Sequence, residues 1–164
     1  MGAYRTIQGV DVDPLSREEA LELLAGAPVA HLGLISEGTP YVTPMSFVVD
    51  RDRILFRTTA GKKLYALRQE PNVCVEASQF DPESGEWASV IVTGKAFEVD
   101  DRRTGAHAVE LLYAKYSDAL GDPLSRGGLQ PLPGIPHVIE VTIEEISGMS
   151  SGRGFRPRTR PGRL

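Results

Sequence analysis

The stretch that decides the fold is "YVTPMSFVVDRDRILFRTTAGKKLYALRQEP", residues 41–71. Two runs rich in Val, Ile, Phe and Thr flank the turn "RDR", a pattern typical of an antiparallel hairpin. The second run passes through "RTTAG" into a short helix at about Gly61–Gln69. That helix opens with Lys62 and Lys63, although a helix N-terminus carries about half a positive charge and disfavours cations. The sequence therefore predicts that something negative binds there.

The end of the second run supplies further groups that suit a phosphate. As a strand, "ILFRTT" directs Arg57 and Thr59 to one face and Thr58 to the other. The guanidinium, the two hydroxyls, the two lysines and the first amides of the helix together form a phosphate pocket. The alternative is that both lysines are solvated, as exposed lysine pairs often are. The Walker pattern of nucleotide-binding loops is absent, because Phe56 and Lys63 stand where it needs Gly and Ser or Thr.

Neighbouring runs extend the sheet. "VAHLGLIS", "NVCVEASQF", "WASVIVTGKAFEVD" and "HVIEVTIEEISGM" have strand composition and are bounded by turn residues. Helices are predicted at "SREEALELLAGAP", where Ser16 and Glu19 form a capping box, and at "DRRTGAHAVELLYAKYSDAL". We therefore expect a mainly β protein with helical decoration, a six-stranded antiparallel barrel that occupies residues 1–150 as one domain. Such a barrel has no exposed sheet edge and little internal room, so a site must lie on its outer wall or between subunits.

Two strands contain residues that mark a possible ligand surface. Pro44 cannot donate to a sheet ladder and belongs at an edge or a bulge, which leaves groups of Met45 and Ser46 free to meet a polar ligand. A simple edge kink is the alternative. Trp87 begins a strand and shares a face with Ser89, which suits an interface or an aromatic ligand, with packing over the core as the alternative.

Composition and charge narrow the class of function. The net charge of −4 argues against a general nucleic-acid binder, although residues 151–164 form an Arg-rich tail with five arginines and no acid. The single Cys74 predicts a buried, reduced thiol, and the opening residues lack the apolar run of a signal peptide, so we expect a cytoplasmic protein. No run reaches the length of a membrane span. The three histidines have no metal-ligand spacing, so no metal site is predicted.

The order of these features resembles the pyridoxamine 5'-phosphate oxidase-like superfamily of FMN-binding split barrels, and its small bacterial members in particular. The resemblance covers about Val29–Asp101. It rests on the Pro-containing strand, the Arg-Thr strand end, the Gly-Lys-Lys helix start and the strand that opens with Trp and Ser. It implies a split β-barrel that forms a homodimer, with FMN in clefts between the subunits. The implied function is an FMN-dependent oxidoreductase that acts on a small-molecule substrate.

The resemblance also assigns roles to residues. It implies that Arg57, Lys62 and Lys63 hold the FMN phosphate, and that Thr58 and Thr59 contact the phosphate or the ribityl chain. The other implied cofactor-binding residues line or approach the isoalloxazine ring, the last two from the partner subunit: Pro44, Met45, Ser46, Phe47, Trp87 and Ser89. No residue is assigned as catalytic, because a flavin carries the hydride chemistry itself.

The end of the chain departs from the true pyridoxamine phosphate oxidases. Their C-terminal segment has a tryptophan and an arginine that grip pyridoxal phosphate, whereas "VTIEEISGMSSGRGFRPRTRPGRL" has arginines but no tryptophan. This difference argues against vitamin B6 as the substrate. A deazaflavin-dependent reductase of the same fold is one alternative, because the Arg-rich tail can supply the broader basic channel that this cofactor needs. A non-catalytic flavin-binding module, or a small barrel that uses its tail on nucleic acid, is the other.

Overall fold

The computed structural model describes residues 12–120, with 118–120 by their backbone alone, and residues 137–151. These residues form eight strands and three helices. In chain order they are β1 (Val12–Pro14), α1 (Arg17–Gly26), β2 (Ala30–Ser36), β3 (Thr39–Met45), β4 (Phe47–Asp50), β5 (Arg53–Thr58), α2 (Lys62–Gln69), β6 (Asn72–Phe80), β7 (Trp87–Glu98), α3 (Arg102–Leu120) and β8 (His137–Ser151). The predicted Arg-rich tail lies outside the described residues except for Ser151, which ends β8.

A single antiparallel sheet contains all eight strands of the described residues. Its order is β3-β2-β6-β7-β8-β5-β4, and β1 pairs with β8 beside this path. Burial alternates along the central strands, so that every second residue of β7 from Ala88 to Ala96 is buried. One face of the sheet therefore encloses the main core. We call the opposite face of β2, β3, β6 and β7 the outer face.

The chain forces this sheet to curl. Strands β3 and β4 lie at the two ends of the sheet order, yet Ser46 alone separates them in the chain. One residue spans only about 3.5 Å, so the two ends of the sheet must meet at Ser46. No ladder joins β3 to β4 among the described residues, and each of these strands keeps one edge without a partner strand there. The result is a barrel that is split along one seam.

The predicted fold class is confirmed, with two corrections. The sheet has eight strands rather than six, because the Pro-containing run divides at Ser46 into β3 and β4 and because Val12–Pro14 adds a short strand. The expectation of no exposed sheet edge is wrong, since the sheet does not close between β3 and β4. Pro44 lies on β3, together with Pro40, and thus on an edge strand as predicted.

Helix α1 closes the core of the curled sheet. The predicted capping box is confirmed: the Glu19 amide donates to the Ser16 hydroxyl at 3.2 Å, and the Ser16 amide donates to the Glu19 carboxylate at 2.8 Å. Ala20, Leu23 and Leu24 are buried in the main core. No helix in the described parts of the chain is both long and apolar enough to span a membrane.

Cys74 is exposed, contrary to the prediction of a buried thiol. The alternation of β6 places Val73 and Val75 in the core and directs Cys74 to the outer face. A side chain at Gly33 on the neighbouring strand would put its Cβ only 2.6 Å from the Cys74 Sγ. The thiol therefore fills the space that glycine leaves on β2.

Two glycines provide a matched test of this packing. A Cβ at Gly94, beside the bulge in β7, would lie 1.8 Å from the Thr142 carbonyl oxygen, whereas a Cβ at Gly105 in α3 would meet nothing within 4 Å. We expect Gly94→Ala to lower the free energy of unfolding by about 2–3 kcal/mol or more, because backbone must move. Gly105→Ala should raise it by about 0.5–1 kcal/mol through helix propensity. Urea unfolding measures both, and equal effects of the two changes would contradict this account.

Candidate functional site

The strand register brings the Pro-containing stretch to the end of β5. Phe47, the first residue of β4, pairs with Phe56 on β5. Because the strands are antiparallel, the residue before Phe47 and the residue after Phe56 lie at the same end of the ladder. Ser46 and Arg57 therefore come together, next to the start of α2. We call this junction, residues 44–47 and 57–63, the corner.

Helix α2 has an uncapped N-terminus at the corner. Within residues 12–117 and 137–151, no side chain accepts a hydrogen bond from its first amides, and its first turn contains no acidic residue. Helix α1, in contrast, is capped by Ser16 and has Glu18 and Glu19 in its first turn. The first amides of a helix have no intrahelical acceptor and carry partial positive charge. The start of α2 is therefore able to bind an anion.

Three cations at the corner lack a carboxylate. Among the described side chains, no Asp or Glu oxygen lies within 4.0 Å of the charged groups of Arg57, Lys62 or Lys63. The Arg57 Nε is buried and has no hydrogen-bond acceptor within the described residues. Other cations of the sheet and helices do form ion pairs, namely Arg17, Arg53, Arg68 and Lys95. The part of the chain that the structure describes therefore provides no carboxylate partner for the positive charge at the corner.

The two lysines rest on aromatic rings of different strands. The Lys62 Nζ lies 4.7 Å from the centre of the Tyr41 ring on β3, and the Lys63 Nζ lies 5.9 Å from that of Phe56 on β5. These contacts hold both ammonium groups near the protein surface rather than extended into solvent. Lys63 is half-buried, and this burial lowers the pKa of its ammonium group because it removes water from the charge. An anion bound beside Lys63 would offset that cost.

The residues predicted to contact the cofactor differ in the exposure of their side chains. Pro44 and Ser46 are exposed, whereas Met45 and Phe47 are buried in the main core. Of these four, only Pro44 and Ser46 have side chains available to a ligand. Thr58 is buried as well, and its hydroxyl donates to the carbonyl oxygen of the next residue at 3.3 Å.

Tyr116 on α3 fixes the backbone of the corner. Its hydroxyl accepts a hydrogen bond from the Phe47 amide at 3.0 Å. The same hydroxyl lies 2.9 Å from the Pro28 carbonyl oxygen and 3.1 Å from that of Phe47, and its one proton can go to either. Beside it, the Lys115 Nζ lies 3.8 Å from the centre of the Phe47 ring. Sequence reasoning missed these residues, since a tyrosine on the apolar side of a helix is ordinarily read as packing.

Glu98 anchors the other end of α2. It accepts hydrogen bonds of 2.8–3.1 Å from the Arg68 guanidinium in the last turn of α2. It also pairs with the Nδ1 of His137, which is the register partner of Thr58. Arg68 first, and His137 second, lower the pKa of the Glu98 carboxyl. This bridge joins α2, β7 and β8 close to the corner, and no spacing in the sequence could reveal it.

Strands β2 and β6 separate Trp87 and Ser89 from the Pro-containing strand β3. The register pairs Pro44 with His31, His31 with Glu76 and Glu76 with Ile91, so Ser89 lies two residues along β7 from the position level with Pro44. Neighbouring strands lie about 4.8 Å apart. Both residues are half-buried on the outer face.

A groove on the outer face lies along β3, the strand that leads to the corner. Its volume is about 420 Å³, and its lining includes Ile35, Pro40, Tyr41, Val42 and Cys74. Tyr41 is the residue whose ring carries the Lys62 ammonium group. Neither Lys62 nor Lys63 lines the groove itself. In a single chain the corner is therefore marked by its positive charge and not by a pocket.

A sequence model of the family described as pyridoxamine 5'-phosphate oxidase matches residues 16–150. The chain belongs to this family. The resemblance drawn from the sequence is thereby confirmed. The roles predicted for individual residues, the homodimer and the identity of the cofactor stay predictions.

Solved structures share the fold. An FAD-binding protein of Mesorhizobium loti has a TM-score of 0.70 and 23% identity, over 88% of this chain and 100% of that one. A candidate 5-nitroimidazole antibiotic resistance protein of Bacteroides thetaiotaomicron has a TM-score of 0.68 and 19% identity, over 93% and 96% of the two chains. An FAD binding protein of Mycobacterium smegmatis has a TM-score of 0.60 and 27% identity, over 84% and 96%.

The lowered pKa of Lys63 predicts how anion binding depends on pH. A phosphate at the corner would raise this pKa, so affinity is greatest where free Lys63 is protonated and falls as pH rises through its free-state pKa. We expect inorganic phosphate to bind more weakly by about tenfold once the pH has risen through this lowered pKa, as one charged hydrogen bond is lost. Chemical-shift titration measures this. Lys63→Arg keeps its charge throughout, so an equally steep fall in that variant would contradict the assignment.

Proposed function

We propose that the protein binds a flavin at the corner, with the phosphate between α2 and β5, and that the flavin is FMN. The observation that carries the proposal is the Nε of Arg57, which is buried and has no hydrogen-bond acceptor among the described residues, on the strand that leads into the uncapped start of α2. A guanidinium and helix amides together bind a phosphate oxygen far better than they bind water. Membership of the pyridoxamine 5'-phosphate oxidase family supports a flavin, and so do two similar structures that are FAD-binding proteins.

The residues present fit the two ends of such a cofactor. Arg57, Lys62 and Lys63 would hold the phosphate, and the half-buried Thr59 adjoins them. The ring would extend along the exposed Pro44 and Ser46, next to Phe47, whose backbone amide donates to the Tyr116 hydroxyl. When bound, the flavin would supply hydride transfer. The chain would supply binding, orientation and exclusion of water.

A second subunit would complete the site. Strands β2 and β6 separate Trp87 and Ser89 from the Pro-containing strand of their own chain, and the family resemblance assigns both residues to the site of the partner subunit. An aromatic ring on the outer face is suited to covering one side of an isoalloxazine. We therefore propose a homodimer in which each site takes its phosphate-binding residues from one chain and Trp87 from the other.

FAD and a deazaflavin are the competing cofactors. FAD is favoured by the two similar FAD-binding proteins, whereas the Arg-rich tail favours a deazaflavin, whose own tail is more acidic than that of FMN. All three would place a phosphate at the corner. Competition among them for the same purified protein decides which one binds best.

Loss of the corner lysines should weaken flavin binding selectively. We expect Lys62→Ala and Lys63→Ala each to raise the Kd for FMN about tenfold, and the double variant to raise it about 100-fold, because each removes a charge-assisted contact. Quenching of flavin fluorescence measures the Kd. Lys95→Ala is the matched control, since Lys95 is exposed on β7 and pairs with Glu144. If the control and the double variant bind FMN alike, the phosphate lies elsewhere.

Enzymatic activity requires a separate test. The similarity to a candidate 5-nitroimidazole resistance protein suggests small nitro-aromatic molecules as electron acceptors. We expect flavin that has been reduced on the protein to be reoxidised anaerobically by such an acceptor at least tenfold faster than free reduced FMN. Stopped-flow absorbance follows the reaction. Equal rates on and off the protein, across a panel of acceptors, would favour a non-catalytic flavin-binding module.

A further inference from the structure

One titratable side chain interrupts an apolar part of the outer face next to the corner. Strands β2 and β3 direct residues 31, 33, 35, 40, 42 and 44 outward, and of these only His31 is polar. His31 is the register partner of Pro44, so the two side chains stand beside each other on this face. The His31 side chain is 50% exposed. The polar group next to Pro44 on β2 is therefore an accessible imidazole.

Glu76 on β6 holds this imidazole from the other side. His31 and Glu76 are register partners, and the His31 Nδ1 lies 3.0 Å from the Glu76 Oε2. An ionised carboxylate can only accept a hydrogen bond, so the Nδ1 carries a proton. The Nε2 forms no hydrogen bond or ion pair with the described residues. It can accept a hydrogen bond from a ligand when the imidazole is neutral, and donate one when the imidazole is charged.

The charge of Glu76 acts on His31 alone. The described residues contain two other pairs of a histidine and a carboxylate, and in both of them an arginine, either Arg53 or Arg68, shares the carboxylate. Glu76 forms no second ion pair with the described side chains. Its negative charge therefore remains available to stabilise a proton on the imidazole. A role in the sheet alone is the competing explanation, although exposed ion pairs stabilise proteins only slightly.

A flavin ring seated on Pro44 would come within reach of the Nε2. Neighbouring strands lie about 4.8 Å apart, and the three fused rings of an isoalloxazine are longer than this spacing. On the other side of β3 lies the open seam, where no described strand could support a ring. The ring would therefore extend over β2. His31 is the side chain there that can pair with the carbonyl and N–H groups of its pyrimidine edge.

We propose that His31, held by Glu76, hydrogen-bonds the pyrimidine edge of the flavin and balances the charge that reduction places on it. The inference rests on the proposed function, because it needs the ring beside Pro44. A hydride donor delivers two electrons and one proton to the ring, which leaves one negative charge there. His31 takes one further proton from water, so the ring and the imidazole together stay neutral. Glu76 is a positioning residue, since it acts through His31.

Few groups compete with His31 for that proton. The outer-face residues that flank it on the two neighbouring strands are Val42, Pro44, Cys74, Glu76 and Ser78. Of these, only Glu76 and Cys74 can titrate. Helix α2 also contacts β2, and the buried residues of α2 are apolar. The imidazole is therefore the basic group on the outer face beside Pro44.

Imidazole NMR tests the contact directly, because the chain contains only three histidines. Spectra of ¹⁵N-labelled protein report the protonation of each ring nitrogen, and His31→Gln identifies the signals of His31. We expect FMN to shift the Nε2 signal of His31 and to leave the signals of His107 unchanged. Dithionite then reduces the bound FMN, at a pH where His31 of the flavin-free protein is mostly neutral. Reduction should protonate His31 and no other histidine.

The reduction potential provides a second readout, which a pair that serves only the sheet would not change. We expect His31→Gln to weaken the binding of reduced FMN about tenfold relative to oxidised FMN, which lowers the two-electron potential by about 30 mV. Glu76→Gln should cause part of this decrease, because the amide oxygen still accepts from the Nδ1 but has no charge. His107→Gln is the matched control, since His107 pairs with a carboxylate on another part of the surface.

Lys63 separates the failure of this inference from the failure of the proposed function. Circular dichroism first verifies that each variant is folded. If FMN shifts the ammonium signal of Lys63 but not the His31 signals, or if His31→Gln keeps the potential of the unaltered protein, the inference is overturned and the flavin site stands. If FMN shifts the signals of neither residue, the inference and the proposed function fail together.

Discussion

The single residue between β3 and β4 is the constraint on which the structure depends. Ser46 joins strands that stand at opposite ends of the sheet order, so the sheet curls until its ends meet. That curl creates the main core, into which α1 packs, and it sets the exposed Ser46 beside Arg57. Without so short a link, the same strands could form an open sheet and the corner would not exist.

The corner is also where the fold departs from the rules that stabilise it elsewhere. Helix α1 has its capping box and acidic first turn, whereas α2 has neither and begins with two lysines. Leaving a cation half-buried without a counter-charge costs free energy, and such exceptions concentrate at functional sites. The anchor at the opposite end, where Glu98 holds Arg68, keeps this unfavourable helix start in position.

Local chemistry explains what sequence reasoning could predict. The capping box, the alternation of β6 and β7 and the cationic helix start depend on neighbouring residues, and all three are visible in the sequence. The depth of Phe47 and the hydrogen bonds of the Tyr116 hydroxyl depend on which elements pack together, and that packing is decided by contacts between distant residues. The burial of Cys74 was predicted wrongly for a local reason: its run is apolar, but its position in the alternation directs it outward.

The open seam of the barrel leaves one edge of β3 without a partner strand. Two prolines on that strand limit the ability of this edge to pair with other molecules. Backbone amides of a strand point alternately to its two edges, so residues 40, 42 and 44 direct theirs the same way. Proline has no backbone N–H, so it is tolerated where that group would not bond to a neighbouring strand. At positions 40 and 44 the N–H would point away from β2, so the two prolines cost the β2–β3 ladder no hydrogen bond. A strand of another molecule that paired with this edge could accept a hydrogen bond from the Val42 amide, but from no amide at residues 40 and 44. The seam can stay unpaired without becoming a template for aggregation.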